Sequence, residues 1–399
     1  MSLTNRPKPR IALVIQRYGL EVSGGAELHA RWLAEHLMEI AHIEVITTCA
    51  LEYTTWENYY PCGVGEINGV KVHRFAVDEV RDWEAAQQKT GRLLLNDHTL
   101  FDELAWMQEQ GPLSTGLLNF IEQSYDQFDL FMFVTYHYAP TFYGLPLVAN
   151  KAILLPLAHD DPFLRLPVFR PVFHLPQALV YNTPAERKLV EEIMRLAHHK
   201  HRTLDIVAGT GINEITDASA VRFRHSFGIQ EPFILYVGRL SASKNVPELF
   251  DHFVRYKADY PSELKLVVMG KGEVPVPDHP DILATGFVSE EEKFDGLAAA
   301  EFIVVPSKFE SLSMLALEAW LMQKPALVNG NCLVLKDQCR RSNGGLYYYN
   351  YDEFAAVIDY LRTHPTHREV LGRNGRSFVQ QHYSWEVILA KYQSLFEKI

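Results

Sequence analysis

The sequence predicts an α/β protein in which helices cover parallel β-sheets. Short apolar runs rich in β-branched residues alternate with stretches of helical periodicity, and this alternation is typical of parallel sheets with helices on both faces. The pattern runs through the first half of the chain and begins again at residue 233. With 399 residues, of which 47% are hydrophobic and 22% charged, the chain has ample material for two cores.

The first series begins with a predicted strand at residues 11–15 and a helix that includes Leu33 and Leu37. Between them lies a loop ending in Gly24-Gly25-Ala26-Glu27. Paired glycines let the backbone approach a ligand, and a helix start favours an anion, although a turn without ligand contact is the alternative. Further strands are predicted at residues 44–48, 70–75, 130–134, 152–157, 179–182 and 205–208.

Two loops that follow predicted strands are crowded with aromatic residues, which stack well on sugar rings but also serve in core packing. They are Tyr53, Trp56, Tyr59 and Tyr60 in one loop, and Tyr136, Tyr138, Phe142 and Tyr143 in the other. His159 directly follows the strand at 152–157, where it is either a ligand contact or a structural residue. His137 is a weaker candidate of the same kind.

Residues 78–123 form an amphipathic stretch with Trp83, Trp106 and Met107. Helices that cover the sheet are the favoured interpretation, and an insertion near an acceptor is the alternative. His198, His199 and His201 have no Cys or carboxylate at ligand spacing, so a solvated helix end is expected there rather than a metal site.

The second series has predicted strands at residues 233–238, 264–270, 282–286, 302–305 and 326–328, after a hinge expected within 209–228. Arg239 and Lys244 lie in the loop that follows the first of these strands. Two cations at a strand's carboxyl end suit phosphate binding, although loop cations are often simply solvated.

The stretch 302–323 changes from strand to helix, because Pro306 and Ser307 stop an apolar run and helical periodicity starts at Ser313. Glu310 and Glu318 are eight positions apart, which on a helix rising ~1.5 Å per residue is up to roughly 12 Å. That exceeds the ~5–9.5 Å needed for glycoside hydrolysis. It suits a ligand with a hydroxylated ring at each end and phosphates between. Two solvated glutamates are the alternative.

These two glutamates, in ESLSMLALE, resemble the E-x7-E motif of retaining glycosyltransferases of the GT-B fold, family GT4. The resemblance implies that Glu310 holds hydroxyls of the donor sugar and that Glu318 holds the nucleotide ribose. Ser311 and Ser313 stand where the family often has Gly, which leaves the backbone donors in place.

Other segments carry the same resemblance. The GGAE turn, VGRLSASKN, the Gly270-Lys271-Gly272 turn and Gly286-Phe287-Val288-Ser289 are similar to GT4 segments around the donor, and HYSW resembles the start of the family's final helix. The resemblance implies catalytic roles for Arg239, Lys244, Glu310 and His159. It implies donor binding by Gly24, Gly25, Gly238, Gly270, Phe287, Val288, Ser313, Met314, Leu315 and Glu318.

The implied architecture is two Rossmann-like domains facing across a cleft, with a C-terminal helix that crosses back to the N-terminal domain. We expect an acceptor domain at 1–210 with helix 383–399, and a nucleotide-sugar donor domain at 211–382. The implied reaction transfers a hexosyl group from a nucleotide diphosphate sugar to a hydroxyl, with retention of configuration. UDP-glucose is the first expectation and GDP-mannose the second, and the acceptor is a glycan or a lipid-linked saccharide.

No cofactor and no metal are expected, because Arg239 and Lys244 can replace a metal and no Asp-x-Asp motif is present where one would be needed. Three other functions are open. A nucleotide-sugar 2-epimerase would need acid/base carboxylates at the sugar's C2, and a phosphorylase would need a lysine-held pyridoxal phosphate. A catalytically silent partner subunit would keep the fold without the chemistry.

The net charge of −11 argues against nucleic acid as a partner. The N-terminus lacks a signal-peptide core and no apolar window reaches 18 residues, so we expect a cytoplasmic protein. Weak peripheral contact with the inner membrane face is suggested by exposed aromatics and by Trp106-Met107. The four cysteines have no metal or redox spacing and are expected to be reduced thiols.

Overall fold

The computed structural model describes residues 7–196 and 204–399. The histidines at 198, 199 and 201 lie outside these ranges. The contacts within the structure divide the chain into two compact units. The first is made of Met1–Gly211 and Trp385–Ile399, and the second of Ile212–Ser384. The expected domain limits at 210/211 and 382/383 lie within two residues of this division.

The first unit is built on a sheet that has eight strands among the described residues, in the order β3-β4-β2-β1-β5-β6-β7-β8. Neighbouring strands are parallel except for the antiparallel pair β3 and β4. The strands are β1 Arg10–Val14, β2 His42–Thr48, β3 Gly63–Ile67, β4 Val70–Phe75, β5 Leu130–Val134, β6 Ala152–Leu155, β7 Ala178–Tyr181 and β8 Leu204–Val207.

Helices cover both faces of this sheet and thereby bury its central strands on both sides. They are α1 Gly25–Leu37, α2 Trp83–Leu95, α3 Leu100–Gln110, α4 Thr115–Gln123, α5 Ala139–Gly144, α6 Arg170–His174, α7 Pro184–Ile193 and, from the end of the chain, α15 Trp385–Phe396. The C-terminal helix therefore belongs to the first unit, as predicted. Its Trp385 ring stacks on His36 of α1, with 3.7 Å between ring centroids.

The stretch 78–123 forms α2, α3 and α4, which confirms that helices cover the sheet there. Trp106 and Met107 are fully buried and belong to the same hydrophobic core as the strand residues Phe131 and Phe133. Their expected membrane contact was wrong for this reason. Over the described ranges, no helix combines the length and the apolar character that crossing a membrane requires.

The second unit contains a parallel sheet with the strand order β11-β10-β9-β12-β13-β14. Its strands are β9 Phe233–Val237, β10 Lys265–Met269, β11 Ile282–Gly286, β12 Phe302–Val305, β13 Ala326–Asn329 and β14 Gly345–Tyr348. Its helices are α8 Ala220–Phe227, α9 Val246–Asp259, α10 Glu290–Ala299, α11 Met314–Leu321, α12 Leu333–Ser342, α13 Tyr351–Thr363 and α14 Pro365–His382. Helix α8 lies within the expected hinge.

The sequence missed two strands. β3 is almost entirely exposed, and its sequence GVGEI carries no apolar run. β14 lies in a segment, 338–349, for which the sequence suggested only a turn. Both pair with one neighbour at a sheet edge, where hydrogen bonding to that neighbour rather than local sequence makes the strand.

Each sheet reverses its strand order once near its centre, between β1 and β5 in the first unit and between β9 and β12 in the second. The loops that leave these neighbouring strands diverge to opposite faces, which opens a crevice at the carboxyl edge of the sheet. In open parallel sheets this switch point is where ligands bind, so the loops after these four strands are where a site is expected.

Candidate functional site

The switch point of the second unit brings Lys244 and Glu310 together. Lys244 lies in the loop between β9 and α9, and Glu310 lies in the loop between β12 and α11. The ammonium Nζ of Lys244 donates a hydrogen bond to Oε1 of Glu310 at 2.7 Å. Their side chains are 40% and 15% exposed, so this pair is only partly desolvated. The arrangement presents a positive and a negative group side by side at the edge of the sheet.

Short polar contacts fix the loop that carries Lys244. Its backbone N–H donates to Oγ of Ser241 at 3.2 Å. Asn245 follows in the left-handed conformation, with φ of 59°, and donates its side-chain N–H to the carbonyl of Pro306 at 3.2 Å. This last bond ties the loop after β9 to the loop after β12, so the geometry of Lys244 and Glu310 is set by both loops.

Arg239 lies at the start of the same loop and is anchored through its backbone. The hydroxyl of Tyr236 donates to the Arg239 carbonyl at 2.7 Å. Arg239 is therefore held near the end of β9, five residues before Lys244. Two cations at the carboxyl end of one strand supply the local positive charge that an acidic protein would need for phosphate.

The helix α11 starts at Met314, four residues after Glu310. Ser313 is its N-cap and accepts a hydrogen bond from the backbone N–H of Ala316 at 3.3 Å. Met314 and Leu315 form the first turn, in which backbone N–H groups have no carbonyl partner within the helix. The helix start therefore provides donors and a partial positive charge next to the Lys244–Glu310 pair.

Glu318 lies one turn and a half into α11 and is buried. Its Oε1 accepts a hydrogen bond from Nζ of Lys293 at 2.9 Å, and Lys293 also contacts Glu290 at 3.0 Å. Burial raises the pKa of Glu318, and the Lys293 ammonium opposes that rise. Burial would lower the pKa of Lys293, but its two carboxylate partners outweigh it and raise that pKa. Nothing in the sequence motif indicated Lys293 as the partner.

Gly238 and Gly270 lie side by side at the ends of β9 and β10. A Cβ on Gly270, where φ is 145°, would come within 1.9 Å of the Gly238 carbonyl oxygen, so only glycine fits. The Gly270 N–H donates to the Gly286 carbonyl at 2.8 Å, which aligns the end of β11 with them. Phe287, which is largely exposed, and Val288 follow directly. The structure thus brings these four predicted donor residues to the same sheet edge as Lys244.

In the first unit, Gly24 and Gly25 open α1 after a loop braced by a buried ion pair. Gly24 has φ of 150°, and a Cβ there would lie 2.1 Å from Oε2 of Glu27. The Glu27 carboxylate accepts hydrogen bonds from Nε of Arg17 at 3.1 Å and from Gln16 at 3.0 Å. The glycine is therefore required by the packing of Glu27 against the turn.

His159 follows β6 at the carboxyl edge of the first sheet. Its Nδ1 lies 2.7 Å from Oδ2 of Asp161. Burial would raise the pKa of Asp161, but His159 lowers it below its usual range. Leu157, two residues before His159, has φ of 49°, which is strained for a non-glycine residue. The His159 ring is thus oriented by a carboxylate on a backbone that the surrounding fold constrains.

Glu186 is a functional candidate that sequence reasoning missed. Its carboxylate oxygens are fully buried and accept the N–H groups of Ala158 and Asn182, each at 2.6 Å. Burial raises the pKa of Glu186 to about 8, against the effect of the backbone N–H groups. Because Ala158 precedes His159, Glu186 is a positioning residue for the histidine loop. An isolated Glu in a helical pattern gives no sequence signal of this.

Some residues of the two aromatic loops serve in core packing, and others are exposed and available to stack on a sugar ring. Trp56 and Tyr136 are fully buried, and Trp56 donates its ring N–H to the Gln110 carbonyl at 2.9 Å. Tyr59 is 63% exposed and stays a candidate for stacking. Burial of its ring lowers the pKa of His137 to about 4, so this partly buried histidine is neutral near pH 7.

Over the described residues, no group of three or more His, Cys, Asp or Glu side chains is arranged to hold a metal ion.

The second unit gathers Arg239, Lys244, Glu310 and the start of α11 around one switch point, with the glycine turns beside them. Gly24, Gly25 and His159 lie at the corresponding edge of the first unit's sheet, since β1 and β6 flank β5. A partly exposed cation–carboxylate pair beside a helix start suits a diphosphate linked to a hydroxylated ring.

Comparison with known proteins agrees with this chemistry. Residues 231–364 match the family Glycosyl transferases group 1. An uncharacterized glycosyltransferase of Methanocaldococcus jannaschii, MJ1607, is 22% identical, and the match covers 97% of this chain and 98% of that protein.

Solved structures share the fold across the whole chain. Sucrose-phosphate synthase from Thermosynechococcus elongatus has a TM-score of 0.73 at 16% identity, covering 98% of this chain and 99% of the other. HepE from Anabaena, in complex with UDP-glucose, has a TM-score of 0.69 at 13% identity, covering 98% and 100%.

The two parallel-sheet units and the carboxyl-edge site define a GT-B protein with two Rossmann-like domains. With these matches, the protein is a glycosyltransferase, and residues 231–364 of its second unit are similar to the group 1, or GT4, family, in agreement with the motif resemblance.

Proposed function

We propose that this glycosyltransferase moves a hexosyl group from a nucleoside diphosphate sugar, with UDP-glucose as the first candidate, to a hydroxyl of a glycan or lipid-linked saccharide. The anomeric configuration is retained and no metal takes part. The observation that carries the proposal is the Lys244–Glu310 pair at the switch point of the second sheet. The UDP-glucose complex of HepE supports the choice of donor.

The donor is assigned to the second unit. Lys244 and Arg239 neutralise the diphosphate, whose negative charge grows as the bond to the sugar breaks. The N–H groups of Met314 and Leu315 at the start of α11 add hydrogen bonds to the same phosphates. When the phosphate replaces Glu310 as a partner of Lys244, the Glu310 carboxylate becomes available to the sugar hydroxyls. Glu318 holds the ribose.

The acceptor is assigned to the first unit. His159, oriented by Asp161, contributes a hydrogen bond to the transferred sugar, and the loop opened by Gly24 and Gly25 brings backbone close to the substrates. No described carboxylate is assigned as a covalent nucleophile. The acceptor hydroxyl attacks from the side of the leaving group, and the departing phosphate takes its proton.

Incubation with radiolabelled UDP-glucose, with and without saccharide acceptors, tests the proposal. Transfer that requires an acceptor, with the α-configured product seen by NMR, is the expected result. Release of UDP with an epimerised sugar and no acceptor would indicate a 2-epimerase instead. Consumption of inorganic phosphate would indicate a phosphorylase, and no turnover of any nucleotide sugar would indicate a silent partner subunit.

Metal independence has its own test. Activity in excess EDTA is expected within about twofold of the untreated enzyme, because Arg239 and Lys244 supply the positive charge that a metal otherwise provides. Complete loss of activity that Mg²⁺ or Mn²⁺ restores would contradict this part of the proposal.

A further inference from the structure

Two cysteines that are thirteen residues apart in sequence come into contact in the first unit. Cys49 directly follows β2, and Cys62 directly precedes β3. Their Sγ atoms lie 3.4 Å apart. Cys49 is buried and Cys62 is exposed, and both are free thiols in this structure. Spacing in the sequence gave no indication of this pair, because the contact depends on how the loop between them closes.

The loop from residue 50 to 61 is closed by backbone contacts that do not involve the sulfur atoms. The Cys49 carbonyl accepts the N–H groups of both Tyr59 and Tyr60 at 2.9 Å. Asn58 exchanges two hydrogen bonds with the backbone of Val77, at 2.8 and 3.0 Å. The two thiols are therefore held near each other by a folded loop rather than by chance rotamers.

We propose that Cys49 and Cys62 form a reversible disulfide that fastens this aromatic loop to the end of β2. A covalent S–S bond is ~2.05 Å long, so the sulfur atoms have to approach by little more than an ångström. The oxidant is a small-molecule disulfide such as oxidised glutathione.

The thiol–disulfide exchange takes place in two steps. The Cys62 thiolate attacks one sulfur of the small-molecule disulfide, which forms a mixed disulfide and releases one thiolate. Cys49 then loses its proton to solvent, and its sulfur attacks Sγ of Cys62 and releases the second thiolate. In sum, two protein thiols are oxidised to one disulfide, and one small-molecule disulfide is reduced to two thiols.

The order of the steps follows from exposure. Cys62 is accessible to the oxidant. Burial, followed by the nearby Cys62 thiol, raises the pKa of Cys49, so Cys49 is a poor first nucleophile. Once Cys62 carries the mixed disulfide, contact between the sulfur atoms makes the second step intramolecular, which favours it strongly. Cys332 and Cys339 are buried in the second unit and serve as internal controls.

The test is a thiol count on the folded protein after incubation with oxidised glutathione. The number of free thiols, titrated after denaturation, is expected to fall from four to two, and dithiothreitol should restore it. Peptide mapping by mass spectrometry should link Cys49 to Cys62. Cys49→Ser should stop at a glutathione adduct on Cys62, and Cys332→Ser should still form the disulfide.

Three results would overturn the proposal: four unreacted thiols, a persistent glutathione adduct on Cys62 of the unmodified chain, or a disulfide that includes Cys332 or Cys339. Thermal unfolding gives a second readout. Closing the loop should raise the melting temperature of the first unit by about 5 °C relative to the reduced protein, and Cys62→Ser should show no such rise. Neither readout depends on glycosyl transfer.

Discussion

The two sheets reverse their strand order in the same way but carry different chemistry at the reversal. In the first unit, Arg17 and Glu27 are 4% and 7% exposed and join Gln16 in a closed network that reaches Thr135. In the second unit, Lys244 and Glu310 are 40% and 15% exposed, with water available to both.

The difference in burial gives the two pairs different roles. The Arg17–Glu27 pair is a structural brace for its loop, and the Lys244–Glu310 pair is part of the proposed binding site. The buried Arg17 guanidinium donates to Glu27 and to the carbonyls of Leu51 and Ser23, and breaking the pair leaves an unpaired buried charge. The partly exposed Lys244–Glu310 pair contributes little to the free energy of unfolding. Either side chain can therefore exchange its partner for a substrate group at a small cost in free energy. The fold thus gives both units a crevice, and burial distinguishes the Arg17–Glu27 pair, which is closed to solvent, from the Lys244–Glu310 pair, which is partly open to it.

The largest expected effect is on the brace. Arg17→Ala should lower the free energy of unfolding of the first unit by about 3–5 kcal/mol, because it leaves the Glu27 carboxylate buried without its cation. Urea denaturation measures this. Arg187→Ala, which removes an exposed pair with Glu191 in the same unit, should cost no more than about 0.5 kcal/mol. Equal stability of the two variants would show that the network is not a brace.

The next effect is on catalysis at the open pair. Lys244→Ala or Arg239→Ala should lower the turnover number by about 10²–10³-fold with a smaller change in KM, because both cations are proposed to act on charge that develops in the transition state. Lys244→Arg should recover part of the activity. Lys308→Ala, which removes another half-exposed lysine of the same sheet edge, is the control and should stay near full activity. Near-normal turnover of Lys244→Ala would mean that Lys244 does not stabilise the departing diphosphate.

Nucleotide binding should distinguish the two glutamates. Glu318→Gln should weaken UDP binding by about 1.5–3 kcal/mol in calorimetry, since it removes the proposed charge-assisted hydrogen bonds to the ribose hydroxyls. Glu310→Ala should leave UDP affinity unchanged and reduce turnover. Glu290→Gln controls for the disturbance of Lys293, because Glu290 is its exposed partner. If both Glu318→Gln and Glu310→Ala lost UDP affinity equally, the division of roles would be wrong.

The smallest effect, for each step of one pH unit, is the dependence of stability on pH that arises from Glu186. With a folded-state pKa of about 8 against 4.5 when unfolded, the folded protein binds more protons between these values. Its free energy of unfolding should therefore fall as pH rises from about 5 to 8, by roughly 1 kcal/mol per pH unit. Urea denaturation over this range should show the slope in the unmodified protein and in the control Glu192→Gln, and not in Glu186→Gln. Parallel curves for all three would mean that the backbone N–H groups keep Glu186 ionised.

Much of the site's framework could be predicted because it is local. The predicted helix start at Ser313, Lys244 in the loop after β9 and Glu310 in the loop after β12 each follow from a few adjacent residues. The partners could not be predicted. Lys293 meets Glu318 from another helix, and Glu186 meets Ala158 across 28 positions of sequence. Such contacts depend on packing, which no local pattern specifies.

By itself, the sequence determined the class of fold, the positions of most strands along the chain and the loops that hold the candidate site residues. Hydrophobic periodicity and the turn signals of glycine and proline act over a few residues. Only the tertiary structure decided that Trp106 is core, that Cys49 meets Cys62 and that Arg17 is buried while Lys244 is half exposed. The reason is physical. Burial and distance arise from segments far apart in the chain, and a charge becomes a brace or a ligand site according to the water that those segments exclude.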